Sequence, residues 1–189
     1  MVIEKRYAYA DMKFSEAFVC SKRLNNFSPD GKLIAGANNQ ELYVISADSL
    51  RPIHSIKFGE KIDYIEWSSD SLYLLCASFN AAVVRVFSIE NPTWKCKISE
   101  GTAGLVSVCW SPDSRHILTT ATFHIQISVW SLLDETVSYV HYVKEGKPGM
   151  AFSPDGSYLA ILERRETKDH ILVLSCSTWT PFLVIVFIS

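Results

Sequence analysis

Short apolar runs separated by polar stretches recur along the whole chain. Between residues 61 and 98 they are KIDYIEW, LYLLCASF, AVVRVFSI and TWKCKI, and each is rich in β-branched or aromatic side chains. Runs of this kind favour β-strands, and no stretch of the chain carries a helical period. LYLLCASF is apolar or small at nearly every position, so both faces of its sheet need cover. The pattern therefore predicts an all-β chain whose sheets are stacked against one another.

The same order of runs repeats along the chain. The third group is GLVSVCW, RHILTTATF, IQISVWSL and TVSYVHYV, the fourth is PGMAF, SYLAILE, HILVLS and FLVIVF, and the first contains KLIAGA, ELYVIS and PIHSIKF. A corner sequence marks each group: FSPDG from Phe27, WSSDS from Trp67, WSPDS from Trp110 and FSPDG from Phe152, at spacings of 40, 43 and 42 residues. Ser-Pro-Asp-Gly is typical of a type I β-turn. Four strands in such a period indicate the blades of a β-propeller.

The corner residues have predicted structural roles. We expect the aromatic residue that ends each first strand to pack between blades: Phe27, Trp67, Trp110 and Phe152. We expect the corner aspartates to bond the backbone beside them and not to form a carboxylate site: Asp30, Asp70, Asp113 and Asp155. The outermost strands are expected to carry polar side chains toward water, as Lys95 and Lys97 do in TWKCKI.

Composition and charge narrow the function classes. The chain has 189 residues, is 48% hydrophobic and has a formal net charge of -2 with both signs interspersed, which argues against disorder, nucleic-acid binding and membrane-surface binding. FLVIVFI is too short for a membrane span, which needs about 20 apolar residues. The first 25 residues lack the apolar core of a signal peptide, so a cytosolic or nuclear location is expected. Five cysteines stand singly in apolar runs and are expected to be reduced and buried: Cys20, Cys76, Cys96, Cys109 and Cys176.

Motifs for catalysis or cofactor binding are missing from the sequence. The five histidines show no HxH or HExxH spacing, and there is no G-x-S-x-G elbow and no glycine-rich phosphate loop. EGTAG has two glycines but no following helical pattern, which favours a loop between blades. We therefore predict no enzyme activity, no metal, no cofactor and no small-molecule substrate.

The repeated corner, together with VRVFS and ISVWS about 17 residues after its aspartate, resembles the WD-repeat family. Trp130 occupies the position of the closing tryptophan of that family, but Ser131 replaces the aspartate, and no Gly-His pair opens a unit. The resemblance therefore implies that the family's Asp-His-Ser-Trp hydrogen-bond network is absent or incomplete here, and that apolar packing holds the blades together.

Several longer strings are similar to a centrosomal and spindle-pole branch of that family: MKFSEAF, IEWSSDSLYLLCA, NPTWKCKISEGTAGLVSVCWSPDSRHIL and ERRETKD. This resemblance implies a cytoplasmic, cytoskeletal scaffold at the centrosome or spindle pole, active in microtubule anchoring and mitotic spindle assembly. It implies as partners a coiled-coil spindle-pole anchoring protein and a minus-end-directed kinesin. A WD-repeat adaptor of another complex, in RNA processing or as a ubiquitin-ligase receptor, is the alternative, as is a non-functional truncated isoform.

The units and the resemblance predict a domain organisation. A disordered leader at 1–11 precedes blade 1 (12–58), blade 2 (59–99), blade 3 (100–143) and blade 4 (144–189), whose tail at 180–189 departs from the family pattern. Because the family implies a longer array, the fold class predicted is an all-β WD-repeat propeller with four four-stranded antiparallel blades of an incomplete ring. A small ring closed by these four blades is the alternative.

Loops on one face of a propeller are predicted to bind protein partners, because rigid sheets present them together. Phe79, Phe123 and His124 lie near the tips of such loops, and the run ERRETKD is expected to form a longer connection that offers Glu163, Arg164, Arg165, Lys168 and Asp169. Arginine forks suit an acidic partner and aromatic residues anchor interfaces. The alternatives are a solvated, self-paired charge cluster and phenylalanines that cover the propeller core.

Overall fold

The chain forms four separate four-stranded antiparallel sheets. A computed structural model describes residues 13, 16–21, 23–122 and 126–186. The strands are β1 (Asn25–Phe27), β2 (Leu33–Ala37), β3 (Glu41–Ser46) and β4 (Pro52–Lys57) in blade 1; β5 (Tyr64–Trp67), β6 (Tyr73–Ser78), β7 (Val83–Ser88) and β8 (Lys95–Ser99) in blade 2; β9 (Ser107–Trp110), β10 (His116–Thr120), β11 (Gln126–Ser131) and β12 (Val137–His141) in blade 3; β13 (Met150–Phe152), β14 (Tyr158–Arg165), β15 (Lys168–Ser175) and β16 (Thr180–Val186) in blade 4. Each blade keeps its strands in chain order.

This architecture confirms the predicted all-β fold with four blades of an incomplete ring. Helical structure among the described residues is limited to short 3-10 turns such as Gly101–Ala103, and none of it is long and apolar enough to cross a membrane. The predicted leader and the candidates Phe123 and His124 lie outside the described residues.

The corner sequence forms the same hydrogen-bonded turn in every blade. In blade 1 the Gly31 N–H donates to the Ser28 carbonyl at 2.9 Å. The Ser28 hydroxyl donates to Asp30 Oδ1 at 2.6 Å, and Asp30 Oδ1 also accepts from the Lys32 N–H at 3.1 Å. Because the aspartate is used within its own turn in all four blades, the prediction that these carboxylates bond the adjacent chain is confirmed.

Apolar side chains fill the three junctions between consecutive blades. The junction of blades 1 and 2, for example, is built around Leu42, Phe58, Trp67 and Leu74, each at most 6% exposed. Sheets with neighbours on both sides must be apolar on both sides, which explains the two-sided pattern of β6 and β10. The outer strand of blade 2 has only one apolar side, and its Lys95 and Lys97 are exposed as predicted.

Polar contacts between neighbouring corners add to this packing. The indole N–H of Trp67 donates to the Asn26 carbonyl at 3.2 Å, and that of Trp110 donates to the Glu66 carbonyl at 3.1 Å, so each tryptophan ties its blade to the blade before it. The Ser114 hydroxyl of blade 3 accepts from the Asp70 N–H of blade 2 at 3.2 Å. In the same way, the Ser71 hydroxyl of blade 2 accepts from the Asp30 N–H of blade 1 at 3.1 Å. These corner serines replace the glycine of FSPDG.

Two expectations about individual residues are wrong. Phe27 does not pack between blades: it is 63% exposed, because no blade precedes blade 1 among the described residues. Cys20 is exposed, whereas Cys76 and Cys109 are buried and Cys96 and Cys176 are half-buried. All five cysteines are free thiols.

Blade 3 contains part of a network like the Asp-His-Ser-Trp hydrogen-bond network of the WD-repeat family, which was predicted to be absent or incomplete. The Trp130 indole N–H on β11 donates to the Thr119 hydroxyl on β10 at 2.8 Å, and that hydroxyl donates to the Glu100 carboxylate in the preceding loop. In blade 2, Phe87 stands at the position of this tryptophan and has no N–H to donate. The side-chain hydrogen bond that Trp130 makes in blade 3 therefore has no counterpart from Phe87 in blade 2.

Candidate protein-binding surface

The run ERRETKD forms the tip of a long hairpin in blade 4. Strands β14 and β15 remain paired up to Arg165 and Lys168, and only Glu166 and Thr167 turn the chain. Both turn residues have left-handed backbone angles, with φ of 46° and 70°, as a type I′ hairpin requires. The predicted longer loop is thus wrong: the charged residues lie mainly on paired strands, and their positions are set by strand register.

At the end of the hairpin nearer its tip, the Asp169 carboxylate binds two cationic side chains, Arg164 and Lys144. Arg164 and Asp169 are cross-strand partners, and the Arg164 Nε donates to Asp169 Oδ1 at 2.8 Å. Lys144, from the loop that enters blade 4, donates to Asp169 Oδ2 at 2.7 Å. These hydrogen bonds from Arg164 and Lys144 lower the pKa of Asp169 to about 2. Asp169 is therefore fully ionised at neutral pH and fastens the hairpin to that loop.

The inner pair contains a buried carboxylate. Glu163 is 0% exposed, and its two oxygens lie 3.1 Å from Nη2 and Nε of Arg165. The guanidinium of Arg165 also lies over the ring of Tyr142, 5.0 Å from its centroid. The Tyr142 carbonyl accepts from the Arg164 N–H at 2.9 Å, and Val143 bridges to Glu163, so this loop acts as an extra edge to β14.

A row of aromatic rings leads from the ring beside Arg165. Tyr142 is 61% exposed and Tyr139, on the outer strand of blade 3, is 50% exposed, with the His141 ring between them at 6.4 Å from each. The Arg164 and Arg165 side chains are 54% and 50% exposed. We call these five residues the aromatic–arginine patch. Tyrosine and arginine are enriched at the centres of protein interfaces, because they combine apolar area with directed hydrogen bonds.

Sequence analysis missed the tyrosines of this patch. Alternation along VSYVHY places Tyr139 and His141 on the side of β12 opposite the buried Val140, which was the signal available. Tyr142 has a positive φ of 64° that turns the chain out of the strand, and nothing in the sequence indicates that conformation for tyrosine. The arginines lie beside the tyrosines only because blades 3 and 4 are adjacent.

Of the remaining candidates, Phe79 lies apart from the patch, Lys168 lies beside Arg165 at the hairpin tip, and Phe123 and His124 lie outside the described residues. Phe79 is half-buried, packs on the apolar residues of blades 2 and 3, and its ring is 6.4 Å from that of Tyr64. Its N–H donates to Asp63 Oδ2 at 3.1 Å. This geometry favours the alternative in which Phe79 covers the core. Lys168 is exposed at the hairpin tip, where the described residues provide it with no ion-pair partner.

Titratable groups also converge where the innermost strands approach each other. Lys147 at the start of blade 4 donates to the Tyr64 hydroxyl at 2.8 Å and lies 3.5 Å from Glu66 Oε1, both in blade 2. Burial raises the pKa of Glu66 and of Tyr64. This contact joins blades 2 and 4 past the intervening blade 3, so the row of blades is curved, with its first strands toward the centre.

A buried thiol lies next to this central cluster. Burial raises the pKa of the adjacent Cys109 thiol to about 12, so it stays protonated at neutral pH and is a poor nucleophile. Within the described part of the chain, no three His, Cys, Asp or Glu residues are grouped so that they could hold a metal ion. The cluster is best explained as a structural tie between blades 2 and 4.

Comparison with known proteins identifies the family. The chain is 46% identical over 168 residues to the mouse WD repeat-containing protein WRAP73. The chain belongs to the WD-repeat family. The match covers 89% of this chain but 36% of the mouse protein, so the chain spans about a third of that relative. No family model matches the sequence.

Solved structures support the same fold at low sequence identity. The β-propeller domain of Myceliophthora Cps50 (Swd1) aligns with a TM-score of 0.60 and 12% identity, covering 88% of this chain and 56% of that one. Hydrazine synthase from Kuenenia stuttgartiensis aligns with a TM-score of 0.62 and 14% identity, covering 93% of this chain and 53% of that one. At such identities the likeness concerns the fold alone, and in both cases the four blades match about half of the solved chain.

Proposed function

We propose that this WD-repeat chain is a non-enzymatic scaffold that binds other proteins in centrosome and spindle-pole organisation, and that it contributes to microtubule anchoring. The aromatic–arginine patch is the observation that carries the binding role. It combines two exposed tyrosines with two half-exposed arginines whose positions are fixed by Asp169 and Glu163. Such a preorganised surface loses little conformational entropy on binding.

The cellular setting rests on the family resemblance and on the similarity to WRAP73. By this proposal the protein is cytoplasmic and cytoskeletal, and is found at the centrosome or spindle pole. Its partners are a coiled-coil anchoring protein and a minus-end-directed kinesin. The arginines suit an acidic segment of such a coiled coil, because a guanidinium fork matches a carboxylate.

Binding to the coiled-coil anchoring protein, measured by pull-down and by calorimetry, tests the proposal. Tyr142→Ala and Arg164→Glu are the test variants, because neither removes the partner of the buried Glu163. Lys32→Glu is the matched control: it also reverses an exposed cation, at a corner on the opposite face of the array. We expect each test variant to weaken binding by about tenfold or more, as loss of an interface anchor does, and the control to bind normally.

Two results would contradict the proposal. Unchanged binding in both test variants would remove the patch as the contact surface. No binding by the unsubstituted chain, together with capture by components of an RNA-processing complex or a ubiquitin ligase, would favour the alternative adaptor role.

A further inference from the structure

A groove with cationic walls runs between the outer strands of blades 1 and 2. Its volume is about 740 Å³, and residues of β4 form one wall while residues of β7 and β8 form the other. The cationic side chains that line it are Lys57, Arg85, Lys95 and Lys97. None of the described residues that line it is acidic, although the formal net charge of the whole chain is -2. We call this feature the basic groove.

Strand register places three of these cations on the same side of blade 2. Arg85 on β7 and Lys97 on β8 are cross-strand partners. Lys95 lies two residues before Lys97, and the intervening Cys96 packs toward blade 3. Like charges directly opposite each other destabilise a sheet. Lysine on an edge strand discourages pairing with other chains, but that role does not require an arginine opposite the lysine.

The arginine of the basic groove is held in place, whereas the two lysines of β8 are free. The Arg85 guanidinium donates to the Phe58 carbonyl and, at 3.1 Å, to Glu60 Oε1, and it lies 4.9 Å from the centroid of the Phe58 ring. Lys95 and Lys97 are exposed, and the described residues provide neither of them with an ion pair. Two ammonium groups therefore lie beside a fixed guanidinium without a carboxylate of their own.

This set of charges belongs to one junction and not to the repeated blade. The strand registers identify the residues of the other blades that correspond to Arg85, Lys95 and Lys97, and none of these residues is cationic. They are Tyr43, Pro52 and Ser55 in blade 1, Ser128, Val137 and Tyr139 in blade 3, and Leu172, Pro181 and Val184 in blade 4. The fold of a blade is therefore compatible with other residues at these positions, and the cations of blade 2 need a separate explanation.

An extended peptide matches the spacing of the lysines. Alternate residues of a strand lie about 6.6 to 6.8 Å apart on one side, and so do alternate residues of an extended peptide. A peptide with a carboxylate at every second position therefore places one carboxylate beside Lys95 and the next beside Lys97. Single-stranded nucleic acid is a poorer match, because its sites stack bases on aromatic rings. Phe87 is the only phenylalanine, tyrosine or tryptophan among the described residues that line the basic groove, and it is 8% exposed.

We propose that the basic groove binds an extended segment of a partner protein that carries acidic side chains at alternate positions. Both walls are already fixed, because Arg85 is held on one side and His54 Nε2 of the other lies 3.1 Å from the Ile89 carbonyl of blade 2. A cleft lined by charges of one sign concentrates ligands of the opposite sign. The basic groove shares no residue with the aromatic–arginine patch, so this inference goes beyond the proposed function and does not depend on it.

Fluorescence anisotropy with a labelled eight-residue peptide of alternating glutamate and serine tests the site. We expect saturable binding at low salt that weakens as the ionic strength rises above about 0.1 M. Lys95→Glu/Lys97→Glu should raise the dissociation constant by about tenfold or more, because two attractions become repulsions. Lys32→Glu/Lys168→Glu is the control: it changes the net charge equally at two exposed sites elsewhere and should bind the peptide as the parent chain does.

Two measurements keep the test specific. Thermal melting checks the fold: Lys97→Glu brings a carboxylate opposite Arg85, so the double variant should melt no lower than the parent chain. A second peptide of the same composition has its glutamates in adjacent pairs, EESSEESS, so that no two of them are two residues apart. We expect this peptide to bind at least about threefold more weakly than the alternating peptide, because it cannot place carboxylates beside both lysines at once.

Four results would overturn the proposal. They are no binding of the alternating peptide by the parent chain, equal affinity for the two peptides, unchanged affinity in Lys95→Glu/Lys97→Glu, and tighter binding of an eight-nucleotide oligothymidine than of the alternating peptide. If Arg164→Glu abolishes peptide binding and the lysine variant does not, the acidic peptide binds the aromatic–arginine patch and the basic groove is not its site.

Discussion

Removing the partner of the buried carboxylate in the blade 4 hairpin should destabilise the protein measurably. Arg165→Met keeps an apolar stem over Tyr142 but leaves Glu163, which is 0% exposed, without the guanidinium 3.1 Å away. Leaving a fully buried charge unpaired costs about 3 to 5 kcal/mol. Because the Arg165 side chain is 50% exposed, solvent screens the pair, and we expect the free energy of unfolding to fall by about 1 to 3 kcal/mol.

A double-mutant cycle in urea denaturation separates the ion pair from the loss of packing. Glu163→Gln removes the charge and keeps the shape of the side chain. The double variant Glu163→Gln/Arg165→Met should therefore lose about 1 kcal/mol less free energy of unfolding than the two single variants lose together. The cycle applies to the chain at a fixed protein concentration, since association also changes apparent stability. If Arg165→Met unfolds at the parental urea concentration, or if the two losses add without coupling, then the pair does not stabilise the hairpin.

Three further predictions concern the corners, the hairpin and the thiols. Ser114→Ala should lower the free energy of unfolding by about 1 to 2 kcal/mol, because the Asp70 N–H loses its acceptor and Ser69 Oγ keeps only the Pro112 carbonyl. Ser114→Gly should be about 1 kcal/mol more stable than the alanine variant, since φ there is 60°, and equal urea midpoints would contradict this. The pKa of Asp169 is about 2 in the folded chain and about 3.9 in the unfolded chain, so its ion pairs add to the free energy of unfolding above pH 4, and this stabilisation is lost as the pH falls toward 2. Thermal melts of Asp169→Asn as a function of pH should lack this loss, and an acid profile identical to that of the parent chain would refute the prediction. Ellman's reagent should label exposed Cys20 in the native chain but reach Cys109 only on unfolding, and early labelling of Cys109 would show that blades 3 and 4 separate.

Much of the fold could be predicted because local sequence and tertiary packing agree in this chain. Trp67 and Trp110 end first strands and are buried between blades, as the repeated corner predicted. Phe27 has the same local sequence and is exposed, because its cover would have to come from a preceding blade. A repeat predicts the shape of each unit, whereas the burial of its faces depends on which neighbours are present.

Less of the candidate surface could be predicted. The charges of ERRETKD were recognised, but their pairing depends on strand register: Arg164 faces Asp169, and Glu163 turns inward to become fully buried. Lys144 reaches Asp169 from a loop 25 residues away in sequence. Such contacts combine residues from different elements, and charge composition alone does not distinguish a self-paired cluster from a free one.

By itself the sequence determined that this chain is a series of four antiparallel sheets with a repeated turn, because β-branched and aromatic runs and aromatic-Ser-x-Asp corners act over a few residues. Only the tertiary structure decided which faces are covered, that Tyr142 stands beside Arg165, and that Lys147 of blade 4 contacts blade 2. The reason is physical: strand formation and turn geometry are local, whereas burial and ion pairing depend on which blades meet in space.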